Sequence, residues 1–327
     1  MAALHDNHLK WECSNMFRTI LVPLDGSAFA EHAIPLAVSL AKRAGATVRF
    51  LRVVPPLEDY FFMPPLLSDP LDQKLRQVHR GDALAYLEGV VHRLKDHGPV
   101  ECDVVEEDED LCGTICASVV KTGADLIIMT SHGRGSVARF WLGSIADTLV
   151  RTAPVPVLLT RPPELPATVD LQQPVRLQHF LLALGGNTIA ERIVEPALAI
   201  GRMVTAEYTL VRVVRPAYPL VNLIAGTGDA GPATKLDEQN CLKAEEYLRG
   251  VAARLRAEGA KVQTRVHLAE QPAAAILREA ALVGADLIAL ETHGRGMSRL
   301  LIGSVADKVV RGSTLPVLVC RLPHQLS

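Results

Sequence analysis

Two segments of the chain carry the residue types that phosphate recognition needs. The first runs Thr130-Ser131-His132-Gly133-Arg134-Gly135 and reaches Gly143-Ser144 after a further seven residues. The second runs Glu291-Thr292-His293-Gly294-Arg295-Gly296 and reaches Gly303-Ser304. Glycines let backbone approach a ligand closely. A helix opening at Gly143 or Gly303 would turn free N–H groups and the positive end of its dipole toward an anion. Ser144 would add a hydroxyl donor. Asp25, after the apolar run from Ile20 to Leu24, could accept a hydrogen bond from a base or a sugar. These parts fit a nucleotide carrying phosphates. Neither of the two better-known phosphate motifs is present. The absence of GxxxxGK[ST] argues against a standard P-loop NTPase, and no GxGxxG follows the first apolar run of either segment.

Other reactive side chains read more plainly. His132 and His293 share one loop position, but no nucleophile with a base and an orienting carboxylate follows from the spacing. They read as fixing the loop, with no catalytic residue assigned. Arg134 and Arg295 could contact phosphate or stand in solvent. Arg52 and Arg212 recur among strand apolars, where an arginine needs a partner. Either a carboxylate or a bound phosphate would serve. The acidic run Glu106 to Asp110 suits a helix N-terminus, with a cation site as the alternative. His5, Asp6 and His8 could bind a metal but read first as part of a polar tail. The six cysteines, Cys13, Cys102, Cys112, Cys116, Cys241 and Cys320, form no CxxC pair. Cys112 and Cys116 lie four apart without a histidine beside them, so they read as reduced thiols and not as a metal site.

The elements that position these residues come in two copies. Ala124 to Gly135 matches Ala285 to Gly296, Ala146-Asp147 matches Ala306-Asp307, and Val150-Arg151 matches Val310-Arg311. Arg52-Val53-Val54 faces Arg212-Val213-Val214, and the offset stays about 160 residues throughout. A solenoid repeats every ~20–50 residues, so this is domain duplication. The Pro-rich stretch from Arg161 to Pro174 suits a linker. The expected division is a first domain over 16–161, a linker over 162–176 and a second domain over 177–322.

Within the first copy, apolar runs alternate with helical spacing. Strands are expected at 19–24, 47–54, 100–105, 125–130 and 155–160. Helices are expected at 30–44 (ended by Gly45), 71–97, 111–122 (ended before Gly123) and 145–151. Alternating βαβα with apolar strands implies a parallel sheet covered by helices on both faces. Ligands of such sheets bind at the carboxyl ends of the strands, where the strand order reverses. Pro55 to Pro70 carries five prolines with Phe61 and Phe62. It reads as a lid, a partner contact or a variable surface loop, and Arg215 to Pro232 is its counterpart.

Charge and hydropathy narrow the class. Lys and Arg number 34 against 36 Asp and Glu, which gives no electrostatic case for nucleic acid or an anionic membrane. No apolar run approaches the ~20 residues that span a bilayer. Met1 to Asn15 lacks the apolar core of a secretory signal. The expectation is a soluble, cytoplasmic protein.

Taken together, the run Ile20 to Ser27, the two His-Gly-Arg-Gly loops and the two Gly-Ser-x-Ala-Asp segments resemble the universal stress protein family. The resemblance implies two doubly wound α/β domains, each a five-stranded parallel sheet in the order 3-2-1-4-5. It further implies that the last strands, Val155 to Thr160 and Leu315 to Cys320, meet in an intramolecular pseudo-dimer. That leaves a homodimer of chains open. The ATP-binding branch of the family carries G-x-x-G-x9-G-[ST]. Here Thr130 stands at the first glycine, followed by Gly133, nine residues, and Gly143-Ser144. By resemblance, Asp25 and Val53 would flank adenine and ribose, with Pro23 nearby. Gly133, Gly143, Ser144 and the Ile145 backbone would hold phosphates, and Met129 and Thr130 would complete the site. The implied cofactor is ATP or another adenine nucleotide, with Mg²⁺ accompanying it. In the second copy the corresponding residues are Val213, Gly294, Gly303, Ser304 and Val305. That copy departs from the pattern: Gly185 replaces the aspartate, Glu291 the first glycine, and only eight residues separate Gly294 from Gly303. A carboxylate at Glu291 would repel phosphates unless it held a metal or pointed away. The implied role is a stress-response nucleotide sensor or scaffold. A pure interaction module and a slow ATP hydrolase are the alternatives.

Overall fold

The computed structural model describes residues 17–56, 70–94, 98–108, 110–131, 142–161, 169–171, 173–187, 190–217, 231–292 and 303–321. Strand β1 (Thr19–Pro23) shows why the fold has two buried faces. Ile20 and Val22 point to one side and Leu21 to the other, and all three are at most 1% exposed. The alternation follows from the two-residue period of a strand. A strand apolar on both sides must be covered on both sides.

The chain supplies the covers in order. After β1 come α1 (Ala28–Glu31), α2 (Ile34–Ala44), β2 (Thr47–Val54), α3 (Pro70–Arg93), β3 (Val100–Glu106), α4 (Leu111–Thr122), β4 (Leu126–Thr130), α5 (Ser144–Thr152) and β5 (Val157–Thr160). The second half repeats them. It contains β6 (His179–Ala183), a 3-10 turn (Ala190–Ile193), α6 (Val194–Val204), β7 (Glu207–Val214), α7 (Gly231–Ala257), β8 (Val262–Leu268), α8 (Pro272–Leu282), β9 (Leu287–Glu291), α9 (Ser304–Gly312) and β10 (Val317–Cys320).

Local signals account for the boundaries. Gly45 and Gly123 end α2 and α4 in the left-handed conformation, each with φ of 65°. Asp110 caps α4 by accepting from the Gly113 N–H at 2.7 Å, so the acidic run does precede a helix. One expectation needs correction. The stretch 30–44 is not a single helix. It breaks at His32–Ala33, because Pro35 has no N–H to continue the ladder and instead sits in the first turn of α2. The long helix α3 ends at Arg93, ahead of the expected 97, and β5 begins at Val157, after Pro154 and Pro156.

The strands form one sheet in the order β3-β2-β1-β4-β5-β10-β9-β6-β7-β8. Within each half all pairings are parallel and the order is 3-2-1-4-5 counted from each half's own first strand. The halves join where β5 meets β10 antiparallel, with Leu158 opposite Leu318 and both fully buried. The two edges that would otherwise be unpaired thus satisfy each other. The sheet is therefore mixed, and the two halves make an intramolecular pseudo-dimer. One apolar layer packs α2, α3, α6 and α7 against one face of the sheet, and another packs α4, α5, α8 and α9 against the opposite face. Both layers run through both halves.

Reciprocal arginines brace the joint. Arg161, just past β5, donates to the Arg311 and Ser313 carbonyls at 3.0 and 2.9 Å. Arg321, just past β10, donates to the Thr152 carbonyl at 3.3 Å. No helix among the described residues is long and apolar enough to cross a membrane.

Candidate functional site

The chain leaves β1 in one direction, through α2 to β2, and returns to the other side of β1 as β4. The connections after β1 and β4 therefore splay apart, and a crevice opens at their carboxyl ends. A cavity of about 670 Å³ lies there.

Four separated segments meet in it. From the end of β1 come Pro23, Leu24 and Asp25. From β2 come Leu51, Arg52 and Val53. Met129, Thr130 and Ser131 come from β4, and Gly143, Ser144 and Ile145 from the start of α5. Pro23, Asp25, Val53, Met129, Thr130, Gly143, Ser144 and Ile145, the described residues expected at a nucleotide site in the first half, all line this one cavity, whereas Cys102, Cys112, Cys116 and the acidic run from Glu106 do not. Gly133, His132 and Arg134 lie outside the described residues, as do Gly294, His293 and Arg295. The same holds for His5, Asp6, His8, Cys13 and most of the stretch from Pro55 to Pro70.

Local hydrogen bonds fix the cavity's polar groups. Asp25 accepts from the Ser27 N–H at 2.9 Å and from the Ser27 hydroxyl at 2.5 Å, which holds its carboxylate at the rim. The Ser27 hydroxyl in turn accepts from the Ala30 N–H at the start of α1. Gly143 donates its N–H to the Ser131 carbonyl at 2.8 Å, tying the start of α5 to the end of β4. No side chain caps α5, and Ser144 is exposed at its first turn, so the first N–H groups of that helix remain available to a ligand.

Leu51, Leu111, Ile115, Met129 and Leu142 supply apolar walls. Of these, only Met129 was expected from the sequence, and Leu111 and Ile115 escaped it because a helix facing the core gives no sign of facing a crevice as well. Arg52 lines the cavity and donates to the Leu24 carbonyl at 3.1 Å. Arg311 also escaped it. This residue belongs to the second half yet lines the first half's cavity, bonding Asp307 at 2.7 Å and reaching Asp147 at 3.5 Å. The repeated Val-Arg pairs were visible, but only the β5–β10 joint brings Arg311 across.

A network behind the cavity recurs in both halves. Tyr86 donates to Glu31 at 3.1 Å, Arg93 bonds the same carboxylate at 2.7 Å, and burial, then the Glu31 charge, pushes the Tyr86 phenol well up. The counterparts are Tyr247, Glu191 and Arg254, with an Arg254–Glu191 ion pair. Arg212, the counterpart of Arg52, lies over the Tyr247 ring at 5.4 Å.

The second half has its own cavity of about 680 Å³ in the same place. Val213, Gly303, Ser304 and Val305 line it, together with Glu291 and Gly185. Glu291 belongs to the lining, but both its carboxylate oxygens are buried, and its charge follows burial as a cause of the raised Cys320 pKa. Gly303 repeats the Gly143 bond by donating to the Thr292 carbonyl at 2.6 Å.

None of the described cysteines lines either cavity, though Cys320 feels the charge of Glu291 and the Cys112 thiol approaches the Ile145 carbonyl at 3.9 Å. Burial pushes the Cys112 thiol up to about 11 and raises Cys116, and the described cysteines are all unpaired thiols. Among the described residues no three His, Cys, Asp or Glu side chains gather as metal ligands would.

The model of the universal stress protein family matches residues 16–161 and again 176–321. A universal stress protein of Thermus aquaticus is 32% identical over 151 residues, 45% of this chain and 100% of that protein. One of Mycolicibacterium smegmatis is 27% identical over 313 residues, 92% of this chain and 96% of that protein. The crystal structure of a universal stress protein from Archaeoglobus fulgidus superposes with a TM-score of 0.64 at 19% identity, covering 93% of this chain and 98% of that one. That last likeness is one of fold.

Proposed function

Because the chain belongs to the universal stress protein family, we propose that its first half binds an adenine nucleotide, ATP foremost, as a stress-response sensor. The observation that carries this reading is the convergence of Asp25, Val53, Thr130 and the Gly143–Ser144 helix start on one cavity. Each supplies a different part of what a nucleotide needs. Asp25 accepts from the base or a ribose hydroxyl. Val53, Leu51, Ile115 and Met129 offer apolar surface to a purine face. The N–H groups at the start of α5 and the helix dipole receive phosphates, with Arg52 beside them. Gly133 belongs to the same proposed phosphate loop. Mg²⁺ would accompany the phosphates as the nucleotide's own counterion.

Signalling follows from the joint. Arg311 reaches the first cavity from α9 and bridges to Asp147, one turn into the helix whose start receives the phosphates. A nucleotide there would add charge next to an ion pair that crosses from one half to the other. The second half lacks the aspartate and acts as the built-in partner of the first, so it carries no adenine site of equal strength. We assign no catalytic residue.

The test is direct. Mass spectrometry of ligand released from native protein is expected to find an adenine nucleotide. Calorimetric titration is expected to show ATP binding that Asp25→Ala weakens by about tenfold, the scale of a charged hydrogen bond. Nucleotide-free protein with no ATP heat, with and without Mg²⁺, would overturn the reading.

A further inference from the structure

The second cavity has the size of the first but a different charge. Arg212, Arg215 and Lys243 line it against the single carboxylate of Glu291, an excess of two positive charges. In the first cavity Arg52 and Arg311 stand against Asp25 and Asp147, which leaves none. The excess arises from replacements at matching positions: Gly185 for Asp25, Arg215 for Pro55 and a lining Lys243 where the first half has Asp82 outside its cavity, offset in part by Glu291 for Thr130. No ion pair of the described residues involves Arg215 or Lys243.

The cavity arginine is also held in place. A Cβ built on Gly186, whose φ is 80°, would fall 0.8 Å from an Arg212 guanidinium nitrogen. Only a glycine leaves room for the guanidinium there, and the Tyr247 ring backs it from the other side. A planar fork clamped this way loses little freedom on gripping an anion.

The topology separates two anion-attracting ends. Arg212 and Arg215 stand at the end of β7, whereas Gly303 and Ser304 open α9 beside the end of β9. Strand β6 lies between them, so the ends are two strand spacings apart, about 10 Å. Glu291 ends β9 within the cavity, and Asn187 and Asn240 line it too. The two amides suit hydroxyl groups, and the buried charge of Glu291 beside them disfavours an extra phosphate there.

We infer that the second cavity binds a small hydroxylated molecule with an anionic group at each end, of the sugar-bisphosphate class, and not a nucleotide. The inference is independent of the adenine site in the first half.

Calorimetric titration of the full chain with fructose 1,6-bisphosphate and fructose 6-phosphate tests it. The bisphosphate is expected to bind at one site per chain, about tenfold or more tighter than the monophosphate. Arg215→Ala and Lys243→Ala are each expected to weaken it severalfold with unchanged thermal midpoint, because both side chains are exposed. Gly143→Val, in the other cavity, is expected to leave it unaltered. Absence of bisphosphate binding, equal affinity for the two sugars, indifference to both substitutions, or loss with Gly143→Val would overturn the inference. Each of these outcomes can be read whether or not ATP binds the first half.

Discussion

The first and second halves share strand order, helix order and the Gly-Ser start of the helix beside the crevice, and each encloses a cavity of nearly the same volume. They part at the strand ends. The first half places Asp25 at the rim of an apolar slot with balanced charge, and the second replaces it by Gly185 and adds cations. The backbone hydrogen bonds that shape the crevice, Gly143 to Ser131 and Gly303 to Thr292, are the same in both. Duplication thus preserved the frame, while side chains that carry no packing burden diverged. A shared fold therefore licenses no transfer of ligand from one half to the other.

The strongest way to break the comparison is at the place where the halves are most alike. Leu158 and Leu318 face each other across the joint and are fully buried. Replacing either by alanine is expected to cost about 2–5 kcal/mol by urea denaturation. The double variant should lose less than the two losses together, because the residues share one contact. Strict additivity would mean the joint does not pack as described.

A smaller effect separates the halves at one helix end. Gly45 closes α2 with φ of 65°, whereas Thr205 closes α6 with φ of 56°. A β-branched residue pays for that conformation where glycine does not. Gly45→Thr is expected to destabilise by about 1–2 kcal/mol, and Thr205→Gly to stabilise by up to about 1 kcal/mol. Equal responses of the same sign would contradict this assignment of strain to the second half alone.

Smaller still is the cross-half contact. Arg311 is partly exposed, with 30% of its side chain accessible, so Arg311→Ala should change stability by less than about 1 kcal/mol. In ATP titrations the same variant is expected to lose a few-fold in affinity, whereas Arg212→Ala leaves ATP affinity unaltered. An equal loss from both would assign the nucleotide to both cavities.

Much of this architecture was legible in the sequence. The strand at 47–54 and the helix at 111–122 appear with the expected bounds, because period-two and helical apolar spacing and a terminal glycine are local signals. The meeting of the last strands was implied by the family resemblance, and their pairing covers two apolar edges. The break in 30–44 was missed because the helical apolar spacing outweighed Pro35. In the first cavity Pro23, Asp25, Val53, Met129, Thr130, Gly143, Ser144 and Ile145 come together, while the motif residue Gly133 lies outside the described residues. Arg311 was out of reach because its approach depends on the joint between halves. Lys243 and Asn240 were hidden on α7, whose charged pattern reads as a solvated face. The second cavity looked deficient in sequence because it was compared with the first half's pattern, whereas its own set of cations becomes visible only when β7 and α7 are brought together.

The most direct test of the central claim is the number and location of ATP sites in the full chain, measured by calorimetry. The account predicts one ATP per chain, abolished by Gly143→Val and retained by Gly303→Val. No binding, two equivalent sites, or loss with Gly303→Val instead of Gly143→Val would contradict it.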